Sequence, residues 1–181
     1  VNMLGPVATV AGSTRVTFPE RTITSQPKCG TTITVDVPTH VVGVLNFANH
    51  AVGTIVTSFD VWGGEHPPIE IYGTHGTLIV PDPNGPGGTP RLFRPGQDGW
   101  KDVPLSHPYA GTSRSIGVAD MACAIRTGRP HRAGGDLAFH VLDIMHSIHD
   151  AADAGTVVAL STRPDRPAAL PMGLREGQLD A

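Results

Sequence analysis

Four residues near the end of the chain invite a metal reading: His140, His146, His149 and Asp150 share one predicted helix. His146 and His149 stand three apart, a spacing that lets two imidazoles reach one ion from one helical face. The His-Glu-x-x-His pattern of zinc-protease helices is absent, and periodicity places these residues opposite or beside the buried face. A solvated face is the preferred reading. Arg126, Arg129, His131 and Arg132 form a basic loop between two predicted helices. An anion could sit there, near a helix N-terminus. Cations closing the preceding helix are also favourable in their own right, and that structural reading is preferred. Asp60, Trp62, Glu65 and His66 follow the strongest predicted strand and run through Gly63-Gly64. Acid, indole and imidazole groups in a loop leaving a sheet make a candidate ligand-contact set.

Other motifs are weaker. Gly73-Thr74-His75-Gly76-Thr77 and Asn84-Gly85-Pro86-Gly87-Gly88 are glycine-rich, but neither has the spacing of a dinucleotide or P-loop fingerprint. The first reads as a hairpin turn. No serine nucleophile elbow is present. Cys29 and Cys123 lie far apart without C-x-x-C spacing, which argues against a disulfide scaffold, a zinc knuckle or a thioredoxin-type site. A reducing cytoplasm is the expected compartment. The net charge of −3 and a pI near 6.3 draw neither nucleic acid nor an anionic membrane. No apolar run approaches the ~20 residues of a membrane span. The first residues do not read as a signal peptide, and they read as the end of an element that began earlier, so a fragment is expected.

The elements that must position these groups are mostly strands. Residues 6–17 alternate with β-branched side chains and predict a strand. Residues 18–30 are turn-rich, and residues 31–37 predict another strand. Residues 40–61 give the clearest signal: two apolar runs flank Ala48-Asn49-His50-Ala51. A two-residue turn at Asn49-His50 puts Phe47 opposite Val52, Leu45 opposite Thr54 and Val44 opposite Ile55. One face then carries Val41, Leu45, Phe47, Val52 and Val56; the other carries Val42, Val44, Ile55, Phe59 and Val61. Two such faces call for cover on both sides, by helices and by a partner domain or subunit.

Residues 68–72 and 76–80 predict a second hairpin, a proline/glycine loop follows, and residues 91–94 and 100–105 are weaker strands. Thr112 or Ser113 can then cap a helix with the stripe Ile116, Val118, Met121, Ala122 and Ile125, stopped by Gly128 and Pro130. A second helix follows Gly135 with the stripe Leu137, Val141, Leu142, Ile144, Met145 and Ile148, and Gly155 as its C-terminal cap. Residues 156–160 predict a closing strand. The last 21 residues, 161–181, are proline-rich and are expected to be extended or disordered.

Read in order, several stretches are similar to the C-terminal domain of the Gfo/Idh/MocA oxidoreductases, named for glucose–fructose oxidoreductase, inositol dehydrogenase and rhizopine catabolism. They are Leu4-Gly5-Pro6-Val7; residues 37–49; Ala51-Val52-Gly53-Thr54; Ser58-Phe59-Asp60-Val61-Trp62; residues 69–78; Ala119-Asp120-Met121-Ala122; and residues 126–132. The tyrosine-glycine-threonine-x-glycine-threonine hairpin is the most specific of them. The resemblance implies an α+β fold: an open, mostly antiparallel sheet with helices on one face, and the other face used for homodimerisation. It also implies a parent enzyme that uses NAD or NADP to oxidise or reduce a sugar, polyol or related carbonyl compound.

The chain departs from the family where the chemistry resides. Family members begin with a Rossmann domain, followed by a Glu-Lys-Pro segment with a catalytic lysine and a helix bearing an Asp and a His. None of these positions exists in residues 1–181, so the resemblance carries over no catalytic, cofactor or metal residue. The isolated chain is expected to be inactive. Residues 1–160 are expected to form the substrate-side and oligomerisation half, with Asp60, Trp62 and His66 as substrate-binding candidates. A stand-alone binding domain is the alternative, and a metal enzyme built on the histidine-rich helix is a third reading.

Overall fold

The computed structural model describes residues 1–85, 87–106, 108–111 and 115–180. Thr112 and Ser113, the expected helix caps, lie outside the described residues. The chain divides into two compact units: residues 1–63 with 134–167, and residues 64–133 with 168–181.

The first unit is built on β1 (Val7–Arg15), β4 (His40–Phe47), β5 (Val52–Ser58) and a short closing strand, β10 (Val158–Ala159). All neighbours are antiparallel, in the order β10-β1-β4-β5. Between β1 and β4 the chain leaves the sheet as a separate hairpin, β2 (Glu20–Thr22) and β3 (Thr32–Thr34). The turn-rich reading of residues 18–30 therefore concealed a strand.

The β4–β5 register corrects the expectation by one residue. Val44 faces Thr54, Leu45 faces Gly53 and Asn46 faces Val52. The connection is a three-residue loop rather than a two-residue turn. His50 N–H donates to the Phe47 carbonyl at 3.0 Å, and Phe47 N–H to the Ala51 carbonyl at 2.9 Å. His50 alone, among the described non-glycine residues, has positive φ, at 69°. This is a turn followed by one left-handed residue, which inserts a bulge and shifts the register. Because side chains alternate, the shift moves every β5 side chain to the other face. Ile55 joins Val41, Leu45 and Phe47, while Val52 and Val56 join Val42 and Val44. The second face also carries Thr9, Ser13, Asn46 and Ser58, and is more polar than expected.

α2 (Gly135–Ala154) covers the first face. Its buried arc is His140, Ile144, Ser147, Ile148 and Ala151, with Val7, Val10, Phe47 and Leu160 completing the core. Val141, Leu142 and Met145, expected inside, are exposed, and His140, expected on the solvated side, is 0% exposed. Ile144 and Ile148 lie inside as expected, but the arc is rotated from the apolar pattern because it also includes a histidine and a serine. Gly155 ends the helix with φ of 63°, its N–H bonded to the Ala151 carbonyl.

Close approach of α2 depends on two glycines facing each other across β1 and β4, Gly12 and Gly43. A Cβ on Gly12 would stand 2.2 Å from the Ile148 carbonyl oxygen. Backbone cannot yield as a side chain can, so Gly12→Ala is expected to destabilise by about 3 kcal/mol, the upper range for overpacking. At Gly43 the nearest atom would be the mobile Ile148 Cδ1 at 3.0 Å, and Gly43→Ala should cost about 1 kcal/mol. Urea denaturation of the two variants checks the order.

The second unit holds the antiparallel sheet β6 (Ile69–Gly73), β7 (Gly76–Val80), β8 (Arg91–Phe93) and β9 (Lys101–Asp102), with α1 (Ser115–Thr127). Gly128, with φ of 70°, stops α1, and Arg129 N–H returns to the Ala124 carbonyl. The expected stripe of α1 is a correction too. Asp120 and Ala124 are its buried residues, whereas Val118 and Ile125 are 70% and 77% exposed. The helix is held inward by a charge cluster, not by apolar packing. Residues 168–180 carry no helix or strand. They are tied to this unit by Gly173 N–H to the Ser106 carbonyl at 2.8 Å and by buried Leu174 and Leu179. No helix among the described residues is long and apolar enough to cross a membrane.

Candidate functional site

In the first unit, β5 ends at Ser58 and the chain turns back under the β2–β3 hairpin. Two backbone bonds fix the turn: Phe59 N–H to the Thr39 carbonyl at 2.9 Å and Thr39 N–H to the Arg15 carbonyl at 3.0 Å. Asp60 then locks the loop to the hairpin. Its carboxylate pairs with the Arg21 guanidinium and accepts the Thr39 hydroxyl at 2.7 Å, while its N–H donates to Ser58 Oγ at 3.0 Å. The Asp60 side chain is only 5% exposed. Burial works to raise its carboxyl pKa. Hydrogen bonds from Thr39 and Thr17 and the Arg21 charge outweigh that, and the group is held below the usual carboxylate range. Arg21 also donates to the Phe59 carbonyl at 3.2 Å and lies 5.3 Å from the Phe18 ring centroid. Its Nε is buried and meets no acceptor among the described residues.

These contacts shape a concavity of about 390 Å3 between the hairpin and the loop. Glu20, Arg21, Thr22 and Thr24 line one side; Phe59, Asp60, Val61 and Trp62 line the other. Phe59 is 82% exposed and Trp62 is 96% exposed. A large aromatic side chain stabilises its fold by burial, and these two contribute almost none. The arrangement offers aromatic faces beside hydroxyls and a fixed ion pair, which suits a polar ligand with an apolar face.

Residues 1–79 match the family model of the GFO/IDH/MocA C-terminal domain. No curated protein matches the chain. Solved structures with the same fold include levoglucosan dehydrogenase in its apo form, at 21% identity and a TM-score of 0.70. The likeness covers 88% of this chain and 47% of that one. An NAD-binding oxidoreductase from Klebsiella pneumoniae shares 18% identity at a TM-score of 0.67, over 87% of this chain and 46% of its own. The aldose-aldose oxidoreductase of Caulobacter crescentus, solved with glycerol, shares 20% identity at a TM-score of 0.60, over 86% and 42%. At such identities the likeness is one of fold, and the chain spans about half the length of these structures. The α+β class with open antiparallel sheets, expected from the Gfo/Idh/MocA resemblance, holds.

Of the three expected contact residues, Asp60 and Trp62 meet at the concavity. His66 is exposed and belongs to the second unit. Sequence reading missed Arg21, which contacts residues 38 and 39 positions away. The alternation of Glu20-Arg21-Thr22 against Thr32-Ile33-Thr34 was its one available signal.

The remaining candidates resolve as follows. Among the described residues no group of three or more His, Cys, Asp and Glu is placed to hold a metal ion. Arg129 and Arg132 are engaged by Asp120 and Asp180, which displaces the anion-site reading of that loop. Gly73 and Gly76 close the β6–β7 hairpin, and residues 81–90 join β7 to β8. Neither glycine-rich segment opens a helix, so neither builds the helix N-terminus that receives a dinucleotide pyrophosphate.

Proposed function

We propose that this chain is the substrate-side and oligomerisation half of an NAD(P)-dependent oxidoreductase acting on a sugar, polyol or related carbonyl compound. The family match over residues 1–79 carries this reading, and the fold shared with sugar-processing oxidoreductases supports it. In the parent enzyme a Rossmann domain would bind NAD or NADP and supply the hydride chemistry. Residues 1–160 would supply substrate contacts, with Asp60 and Trp62 in the first unit and His66 in the second as separate candidates, and residues 161–181 would follow as an extended segment. A reducing cytoplasm is the proposed compartment.

A surface argument supports a partner. The chain exposes 12747 Å2. Two separate compact domains of half its 18.9 kDa would together expose roughly 10,000 Å2. Exposed Val44, Val52 and Val56 on the uncovered sheet face contribute to the difference. We assign this face to homodimerisation. A stand-alone sheet domain that binds a ligand or protein would expose the same face, and is the second reading.

The decisive experiment joins the chain to the polypeptide encoded upstream of Val1 and assays nicotinamide reduction with neutral sugars. Turnover there, with no saturable NAD(P)H binding by the 181-residue chain in calorimetry, is expected. Saturable cofactor binding by the isolated chain would overturn the division of labour. A monomer by light scattering at tens of micromolar, an affinity scale of roughly 7 kcal/mol, would count against the interface.

A further inference from the structure

We infer that the free edge of β5 pairs with β5 of a second copy of this chain, antiparallel and centred on Ile55, joining two four-stranded sheets into one. The contact is the strand's edge, not the open sheet face already assigned to homodimerisation, and it stands independently of that assignment. The first observation is where the edge lies. Among the described residues β5 ends its sheet on one side, in the order β10-β1-β4-β5. Two backbone bonds fix the phase of the β4–β5 ladder: Phe47 N–H to the Ala51 carbonyl and Phe59 N–H to the Thr39 carbonyl, both at 2.9 Å. They make Asn46 with Val52, and His40 with Ser58, non-hydrogen-bonded pairs. Gly53, Ile55 and Thr57 therefore bond to β4, while the N–H and C=O groups of Val52, Thr54, Val56 and Ser58 point outward along the edge.

The second observation is that this edge is unguarded. Folded proteins protect sheet edges with charge, proline, bulges or very short strands. β9 and β10 have two residues each and β3 has three, β2 carries Glu20 and Arg21, and β6 carries Glu70. β5 has none of these devices. It reads Val52-Gly53-Thr54-Ile55-Val56-Thr57-Ser58, without charge or proline, and its ladder to β4 runs without a register shift. Val52, Ile55 and Val56 are 69%, 38% and 60% exposed. A regular, exposed, β-branched edge of this length is a template for another strand.

The third observation is self-complementarity. With Ile55 on a twofold axis, Thr54 faces the partner's Val56 and Val52 faces the partner's Ser58. These are the residues whose backbone groups point outward, so all of them are satisfied, in about eight hydrogen bonds. A centre at Thr54 or Val56 would leave Ser58 or Val52 unpaired. On the other face Ile55 meets the partner's Ile55. No like charges oppose one another, although the chain carries a net −3. A twofold pair also closes: each edge covers the other, whereas a foreign strand would leave its own far edge open. The occupant that removes the exposed edge altogether is a second copy. The axis runs normal to the sheet, so it combines with an in-plane twofold at the open face into a closed tetramer.

The test uses the 181-residue chain with Val44→Glu, which places a charge on the open face and leaves the β5 edge untouched. Light scattering at about 50 μM is expected to give a dimer. Hydrogen-exchange protection at Val52, Thr54 and Val56 should rise with protein concentration. Adding Thr54→Pro removes one outward N–H and no bond to β4, and should weaken the dimer at least about tenfold with unchanged circular dichroism. A cross-link reads the register even if the proline variant fails to fold. Ile55→Cys, with Cys29→Ser and Cys123→Ser, should form an intermolecular disulfide on mild oxidation, because opposed non-hydrogen-bonded residues lie about 4.5 Å apart, within disulfide reach. Val52→Cys in the same background, though more exposed, should not. A monomer in the Val44→Glu chain overturns the inference, as does a dimer that Thr54→Pro leaves intact, or equal cross-linking in Ile55→Cys and Val52→Cys. Edge protection that does not change with concentration also overturns it, since the chain would then cover its own edge. Thr54→Pro alone tests the other reading. A dimer there keeps the open-face assignment whatever happens at the edge, and a monomer there removes that assignment and leaves the edge standing.

Discussion

His140→Ala is expected to destabilise the chain by roughly 4 kcal/mol or more, enough to threaten folding of a domain with ordinary stability. His140 is wholly buried, yet both ring nitrogens are satisfied. Val7 N–H donates to Nε2 at 3.0 Å, so Nε2 carries no proton. The tautomer is therefore Nδ1–H, which donates to Thr162 Oγ1 at 2.6 Å, and the Thr162 hydroxyl passes on to Asp143 Oδ2 at 2.7 Å. One side chain thereby joins the start of β1, the first half of α2 and the segment after β10. Alanine leaves a cavity and strands the Val7 N–H, and the second loss adds roughly 1–3 kcal/mol to the first. His140→Gln keeps an acceptor and should cost about half as much by the same reckoning.

The same bond makes stability depend on pH in a defined direction. Burial pushes the His140 pKa below its ordinary value of 6.5, with the Asp143 charge opposing. The unfolded chain takes up its proton near 6.5, whereas the folded chain does so only at lower pH. The contribution is therefore fully present above 6.5 and is lost as pH falls from 6.5 through the folded value. Denaturant midpoints measured from pH 7.5 downward should show this slope in the parent chain and lack its His140 component in His140→Gln. The protection factor of the Val7 amide, its exchange rate corrected for the intrinsic pH dependence, should fall over the same interval in the parent chain.

His140 also shows what the residues disclosed in advance and what they did not. The hairpin at residues 69–80 was legible because glycine, threonine and β-branched residues agree locally, and its register came out with Tyr72 facing Thr77. The end of α2 was legible because Gly155 supplies the left-handed cap at the point where apolar periodicity stops. His50 was legible only as a residue able to take positive φ. Whether one or two loop residues take it decides the register, and nothing in the spacing distinguishes the cases. The buried arc of α2 was legible at Ile144 and Ile148 but not at His140 and Ser147, which count as polar until Val7 and Thr162, distant in sequence, satisfy the imidazole. The site divides the same way. Trp62 and Asp60 were visible in a loop leaving a strong strand. Arg21 was not, because its partner lies across a strand crossing that local pattern does not record.

Asp120→Ala is expected to have a comparable effect in the second unit, again roughly 3–5 kcal/mol, the range for removing one member of a buried charge cluster. The Asp120 side chain is nearly buried within α1. It accepts Arg129 Nη2 at 2.7 Å, the Arg132 backbone N–H at 2.7 Å and the Arg132 guanidinium. Arg129 and Arg132 also share Asp180, with Arg129 Nε 2.8 Å from its carboxylate. Alanine would leave two largely covered guanidinium groups facing one half-exposed carboxylate, and an orphaned N–H. Because α1 buries little else, with Val118 and Ile125 turned outward, apolar packing does not compensate. Asp120→Asn keeps the shape and an acceptor but removes the charge, and should fall between alanine and the parent. Burial tends to raise the Asp120 carboxyl pKa. The bonds from Arg129 and Arg132 outweigh it and hold the group below 3.8. Its contribution should thus persist unchanged down to about pH 4 and disappear only as pH falls through the lower folded value. Trp100, packed against Phe93 at 5.7 Å between ring centroids, reports this unit, so its emission during denaturation distinguishes the outcomes. A midpoint unmoved in Asp120→Ala would mean that the arginines find water as good a partner as the carboxylate, and that the inward face of α1 is held by something other than charge.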